Sequence, residues 1–148
     1  MSSIDHDFRA LCQKGISAGP VSIESIRNAE TVLGVEFPAH YIEFLKEFGA
    51  VLLEGVEIFG LVDPGENDPP MWQDVVDVTI QLRGWNQAGS ERKNFIPISE
   101  DGTGVYYYLE TGQANVSNVW AVGQGVEKMV AENLHQFTLN SISGKLES

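Results

Sequence analysis

Three histidines and one cysteine are the residues of this chain that most often bind metals or act as nucleophiles. His6, His40 and His135 lie far apart in the sequence, and none belongs to an HExxH motif or a paired spacing. His6 stands between two aspartates that could touch a metal, but a position so near the chain terminus is usually poorly ordered. A zinc site needs several ligands, and Cys12 is the only cysteine. We therefore predict no metal site and interpret Cys12 as a small core residue.

Two glycine pairs are the candidates for a phosphate-binding loop, because glycine lets a backbone approach a phosphate closely. They are Gly102 with Gly104 and Gly123 with Gly125. In known phosphate-binding motifs the glycines open a helix. Here each pair is followed by a predicted strand, at 105–110 and at 126–130, rather than by a helix. The sequence therefore predicts no phosphate site, and we expect no cofactor.

Carboxylates and tyrosines in the second half of the chain raise the question of catalysis or nucleic-acid binding. Glu100 and Asp101 could act as general acid and base, but Asp before Gly is ordinary turn chemistry. The tyrosines at 106–108 resemble a base-stacking platform, yet strand alternation sends Tyr107 to the opposite face from the other two. Such a platform would also need basic surroundings. We therefore predict a protein that is not an enzyme and does not bind nucleic acid.

The formal net charge of −12 is the most unusual property of the chain. From Glu36 to Asp77, ten acidic residues and one basic residue, Lys46, give this stretch a net charge of −9. This distribution favours a basic protein partner, while the simpler explanation is a solvated acidic surface.

Acidic side chains around an aromatic residue are typical of a protein-interaction surface. Residues of this kind lie in or beside predicted turns of the acidic stretch. The candidate partner-binding residues are Glu54, Glu57, Asp63, Glu66, Asp68 and Trp72. The alternative for Trp72 is that it lies in the core, on the apolar stripe of a helix.

The segment from Ile23 to Val62 is predicted to position these residues as helix, turn, helix, turn and hairpin. Apolar residues at spacings of three and four indicate both helices. The first stripe contains Ile23, Ile26, Val32, Leu33 and Val35, and the second contains Tyr41, Phe44, Leu45 and Phe48. Ser22 can cap the first helix and Gly34 can end it. Pro38 suits the start of the second helix, and Gly49 ends it.

Further elements follow from the periodicity of the remaining chain. They are a helix at about 4–14, hairpin strands at 51–53 and 56–61, a helix at about 70–85, strands at 95–99, 105–110, 116–122 and 126–130, and a helix from about 131. Pro97 predicts a sheet edge, since proline cannot donate to a ladder. We predict one α+β domain over residues 1–148, with helices before, between and after the strands of a single twisted antiparallel sheet of about five to six strands.

The order and spacing of residues in the segment from Ile23 to Val62 resemble the signature of the SUKH superfamily. That signature combines a Glu and an LG pair, then PxxYxxFL, a glycine and xIFGL. The matching residues are Glu30, Leu33, Gly34, Pro38, Tyr41, Phe44, Leu45, Gly49, Ile58, Phe59, Gly60 and Leu61. Later matches to the superfamily are Asp101, Gly104, Tyr107, Leu109, Ala131, Leu134 and Phe137.

The resemblance implies a non-enzymatic immunity protein that binds and neutralises a polymorphic toxin domain, often a nuclease. Nuclease toxins bind phosphate and tend to be basic, which suits an acidic inhibitor. The alternative is a regulatory or scaffold module that binds a signalling or cell-wall partner. The sequence shows no signal peptide and no apolar run of about 20 residues, so we expect a cytoplasmic protein without a membrane partner.

Overall fold

The computed structural model describes residues 6–53, 56–62, 74–112 and 117–142. The helices in these ranges are α1 (His6–Gln13), α2 (Ile23–Leu33), α3 (Ala39–Glu47), α4 (Val75–Gly84) and α5 (Leu134–Ile142). The strands are β1 (Ile16–Ser17), β2 (Val51–Leu53), β3 (Val56–Ile58), β4 (Phe95–Glu100), β5 (Tyr106–Glu110), β6 (Val119–Gly123) and β7 (Val126–Ala131). The predicted α+β class is confirmed, since helices come before, between and after antiparallel strands.

The described strands form two antiparallel sheets, with the orders β1-β2-β3 and β4-β5-β6-β7. The prediction of a single sheet of five to six strands is therefore wrong. The sheets meet where the Phe59 N–H donates to the Ile98 carbonyl at 2.7 Å. Beside it, the Ser99 hydroxyl donates to the Glu57 carbonyl at 2.7 Å. β4 is the edge strand of the larger sheet, as Pro97 predicts. Pro97 has no N–H to donate, and the β4–β5 register shifts between Pro97 and Ser99.

The predicted boundaries of α2 are confirmed by its capping contacts. The Ser22 hydroxyl accepts a hydrogen bond of 3.1 Å from the backbone N–H of Ser25. Gly34 ends the helix in the left-handed region, with φ of +74°. The next helix, α3, starts directly after Pro38, whose missing N–H leaves no donor unpaired there.

Two other helices begin later than their apolar periodicity predicts. Asp74 has an extended backbone (φ −82°, ψ 128°) and caps α4, so this helix begins at Val75 rather than at about Pro70. Residues 70–73 lie outside the described ranges. Likewise, α5 begins at Leu134 rather than at about 131, because β7 continues through Ala131.

Aromatic side chains join the helices to each other and to the larger sheet. Tyr41 and Phe44 of α3 stack with ring centroids 5.9 Å apart, and Phe44 also lies 6.1 Å from Phe8 of α1. On the sheet, Tyr107 contacts Phe137 of α5 at 5.0 Å. All of these side chains except Tyr107 are buried, so the core extends from α1 to the face of the sheet under α5.

Candidate functional site

Five of the six predicted partner-binding residues lie outside the described residues. They are Glu54, Asp63, Glu66, Asp68 and Trp72. The sixth, Glu57, lies half-buried in β3, opposite Leu52 of β2. The structure therefore locates one member of the predicted surface, and the grouping of all six stays a prediction.

Glu30 is the acidic residue of the SUKH signature, and its carboxylate stabilises the turn between α2 and α3. One oxygen accepts a hydrogen bond of 2.7 Å from the backbone N–H of Phe37, and the other accepts one of 2.9 Å from Nη1 of Arg27. Glu30 is only 8% exposed, although most carboxylates in proteins face water. Because its oxygens are engaged inside the fold, Glu30 is a structural residue rather than a binding residue.

Tyr41 is the signature tyrosine, and it ties α3 to the end of β3. The side chain is fully buried, and its hydroxyl donates to the Phe59 carbonyl at 2.7 Å. Burial, with a smaller contribution from Asp74, raises the pKa of this hydroxyl well above its usual value. Tyr41 is therefore held as a neutral hydrogen-bond donor within the core.

The signature glycines allow two backbone segments to approach very closely. Gly49 has φ of +75°, and its carbonyl accepts the N–H of Leu61 at 3.0 Å. A Cβ atom at Gly60 would lie 1.7 Å from the Gly49 carbonyl oxygen. Only glycine fits at position 60, so these residues too serve the fold.

The remaining chemically interesting residues behave as the sequence predicts. Cys12 is fully buried, and burial, then the nearby Glu47 charge, raises its pKa to about 12, so it is not a reactive thiolate. Asp101 accepts the N–H groups of Thr103 and Val105 at 2.8 and 3.2 Å, as a turn aspartate does. Partial burial raises the pKa of Asp101, but these hydrogen bonds outweigh it and the pKa is lowered.

The tyrosines of β5 divide between the two faces of the larger sheet, as alternation predicts. The ring of Tyr107 contacts α5, whereas Tyr106 and Tyr108 lie together with ring centroids 6.5 Å apart. Tyr108 is fully buried, and its hydroxyl donates to the carbonyl of Ala88 at 3.0 Å. These side chains are packing residues rather than a stacking platform.

A groove between α2 and α4 includes residues from the end of the acidic stretch and has a volume of about 460 Å³. Its walls combine apolar and acidic side chains. The lining residues are Glu24, Ser25, Asn28, Ala29, Val32, Leu61, Val62, Asp74, Val76 and Asp77. We call this feature the α2–α4 groove.

Asp74 lines the α2–α4 groove and fixes the start of α4. Its carboxylate accepts the N–H groups of Val76 and Asp77 at 2.8 and 3.1 Å. Burial is the largest influence on the Asp74 carboxyl and, with the Asp77 charge, raises its pKa in spite of these hydrogen bonds. A parallel bridge with Gly60, including a 2.8 Å bond from Val75 N–H to the Gly60 carbonyl, joins Asp74 to the end of the hairpin.

The contribution of α2 to this groove is not among the sequence predictions. The predicted apolar stripe of α2 includes Ile23 and Val32, but these side chains are 46% and 53% exposed. The buried face of the helix instead contains Ile26, Ala29, Glu30 and Leu33. Spacing did not reveal the difference, because Ile23 is three residues from buried Ile26 and Val32 is three residues from buried Ala29, as members of one stripe would be.

Metal-binding clusters and membrane-spanning helices are both absent from the described part of the chain. There, no group of three or more His, Cys, Asp and Glu residues is arranged to hold a metal ion. None of the helices within the described ranges is long and apolar enough to span a membrane.

Comparison with protein families gives the relationship of this chain to known proteins. A search of the curated proteins finds no match to this chain. The SUKH_6 family, described as SMI1-KNR4 cell-wall, matches residues 23–137. This range runs from the first residue of α2 into α5 and holds the signature residues Glu30, Tyr41 and Gly60. Because the match covers most of the chain, the protein belongs to the SUKH_6 family of the SMI1-KNR4 group.

Proposed function

We propose that this protein is a non-enzymatic immunity protein that binds a basic toxin domain, of nuclease type, and neutralises it. The observation that carries the proposal is the net charge of −9 between Glu36 and Asp77. Membership of the SUKH_6 family supports a protein-binding role. A nuclease domain needs a basic surface for its substrate, so an acidic protein can be steered to that surface and cover it.

The described salt bridges leave the charge asymmetry in place. Arg9 pairs with Glu47 at 2.8 Å, so one carboxylate of the acidic stretch is neutralised from α1. Arg27 pairs with Glu30 on α2, and Arg92 pairs with Glu127 on β7, both outside this stretch. These arginines serve the fold locally, and the acidic stretch keeps a large negative excess for a partner.

The partner-binding face is proposed to contain the six residues selected from the sequence. They are Glu54, Glu57, Asp63, Glu66, Asp68 and Trp72. Val62 and Asp74, the described residues that flank 63–73 in the sequence, both line the α2–α4 groove.

Reversing three charges of this segment, Asp63→Lys, Glu66→Lys and Asp68→Lys, is expected to slow association with the toxin domain about ten- to a hundredfold at low salt. The reason is that long-range attraction governs the encounter rate, while the dissociation rate depends on short-range contacts. Stopped-flow or surface-binding measurements over a range of salt concentrations will show the slower rate and a flatter salt dependence.

The matched control reverses three exposed acidic residues elsewhere, Asp7, Glu100 and Glu132. This control changes the net charge equally, so a smaller effect is expected if the position of the charges matters. Equal slowing by both variants would show that net charge alone steers the toxin. An unchanged association rate in the first variant would reject the proposed face but not the proposal that the protein binds a toxin.

The second candidate is a regulatory or scaffold module for a signalling or cell-wall partner. The family description, SMI1-KNR4 cell-wall, is the observation that favours it. The two functions differ in their partners, so identification of the bound protein distinguishes them.

A further inference from the structure

We propose that the α2–α4 groove receives a basic, amphipathic segment of the toxin domain, with lysine or arginine side chains beside apolar ones. This inference rests on the proposed function and adds a second contact surface to it. The groove residues of α2 are absent from the six residues selected from the sequence. The proposal therefore assigns a binding role to a helix face that no sequence pattern indicated.

The shape and walls of the groove fit part of a peptide segment. Its volume of about 460 Å³ lies within the range of about 300–1,000 Å³ that is typical of small-molecule pockets, which is room for a few side chains of a segment. Ala29 and Leu61 are buried and form apolar parts of the wall, while Val32 is 53% exposed. An apolar side chain of a partner can cover Val32 and gain stability from the area removed from water.

The charges of the groove select the kind of segment. Glu24 of α2 and Asp77 of α4 are exposed carboxylates, and Asp74 is a third, half-buried one. Among the described residues that line the groove, every charged one is acidic. Lysine and arginine suit such a surface because their aliphatic stems cover apolar groups while their charged ends reach carboxylates.

Charge also favours a basic segment over a second copy of this protein as the occupant. Each copy has a formal net charge of −12, so two acidic faces would repel each other. A basic segment would instead be attracted, because its positive charge complements the acidic side chains of the groove.

The first test uses a synthetic helical peptide with lysine and leucine on opposite faces, and a matched peptide with glutamine in place of lysine. Titration of the isotope-labelled protein with the lysine peptide is expected to shift the amide resonances of Ser25, Asn28 and Val76. The glutamine peptide is expected to bind much more weakly. Shifts spread over other acidic surfaces would overturn the inference.

Variants then test the groove with the same lysine peptide. The isosteric pair Glu24→Gln and Asp77→Asn is expected to raise Kd about three- to tenfold, as expected for two exposed charge contacts. The control pair Glu36→Gln and Glu132→Gln removes the same net charge from exposed positions elsewhere and is expected to change Kd less than about twofold. Equal weakening by both pairs would overturn the inference.

A steric variant tests the groove without a change of charge. Asn28→Trp is expected to fill the groove and prevent peptide binding, whereas Asn28→Ala is expected to preserve it. With the toxin domain itself, unchanged affinity in Asn28→Trp would reject the groove and leave the proposed function intact. Absence of a toxin partner for the wild-type protein would reject the proposed function instead.

Discussion

Replacement of Gly60 by alanine is expected to destabilise the protein by roughly 4 kcal/mol or more, enough to prevent folding of an ordinary domain. The added Cβ would lie 1.7 Å from the Gly49 carbonyl oxygen and 3.0 Å from a methyl carbon of Leu45. The first contact is with backbone, which a rotamer change cannot move. The Gly49 carbonyl also accepts the N–H of Leu61, so a backbone shift that relieved the clash would break this hydrogen bond. Circular dichroism and urea unfolding will measure the loss.

Gly84 provides the matched control for this substitution. It is the last residue of α4, and a Cβ there meets nothing within 4 Å. Gly84→Ala is therefore expected to leave stability unchanged or to raise it by up to about 1 kcal/mol, because alanine is the better helix former. A Gly60→Ala variant as stable as Gly84→Ala would contradict the close contact of the two backbone segments.

Replacement of Glu30 by alanine is expected to reduce the free energy of unfolding by about 3 kcal/mol. The substitution leaves the buried N–H of Phe37 without its 2.7 Å acceptor and also removes the contact with Arg27. A hydrogen bond to a charged group is stronger than one between neutral groups, and an unpaired buried donor adds its own cost. The shift of the urea midpoint, at constant m-value, measures this loss.

Two further variants separate the contributions of the Glu30 contacts. Glu30→Gln keeps an acceptor oxygen for Phe37, so a loss of only about 1 kcal/mol is expected. Arg27→Ala removes the ion pair, but the Arg27 side chain is 63% exposed, so a loss below about 1 kcal/mol is expected. If Arg27→Ala were as damaging as Glu30→Ala, the ion pair rather than the turn would explain the role of Glu30.

Local sequence patterns predicted the parts of the fold that local physics determines. Ser22, Gly34 and Pro38 mark helix ends through capping and backbone geometry, and the structure confirms all three. The division of strands between two sheets was not predictable in this way. It depends on how β3 meets the Pro97 region of β4, a contact between segments about forty residues apart. The two-residue strand β1 is also too short to show alternation.

The site was harder to predict than the fold, for a physical reason. The signature residues Glu30, Tyr41 and Gly60 are recognisable because buried hydrogen bonds and close backbone contacts tolerate few alternatives. Surface residues such as Asn28 and Asp77 form a groove only after α2 and α4 have come together. Charge density alone indicated the acidic stretch, without showing which helix faces lie beside it.

The most direct test of the proposed function is a quantitative capture experiment with the purified protein as bait. Lysate of the source cells is passed over wild-type bait and over the Asp63→Lys, Glu66→Lys, Asp68→Lys variant, at low and high salt, with mass spectrometry as the readout. Salt screens exposed charges, so the proposed function predicts recovery of a basic toxin domain by the wild-type bait at low salt alone. Addition of the protein should also suppress the activity of that domain. Recovery of signalling or cell-wall proteins, insensitive to salt and to the charge reversal, would reject the proposed function.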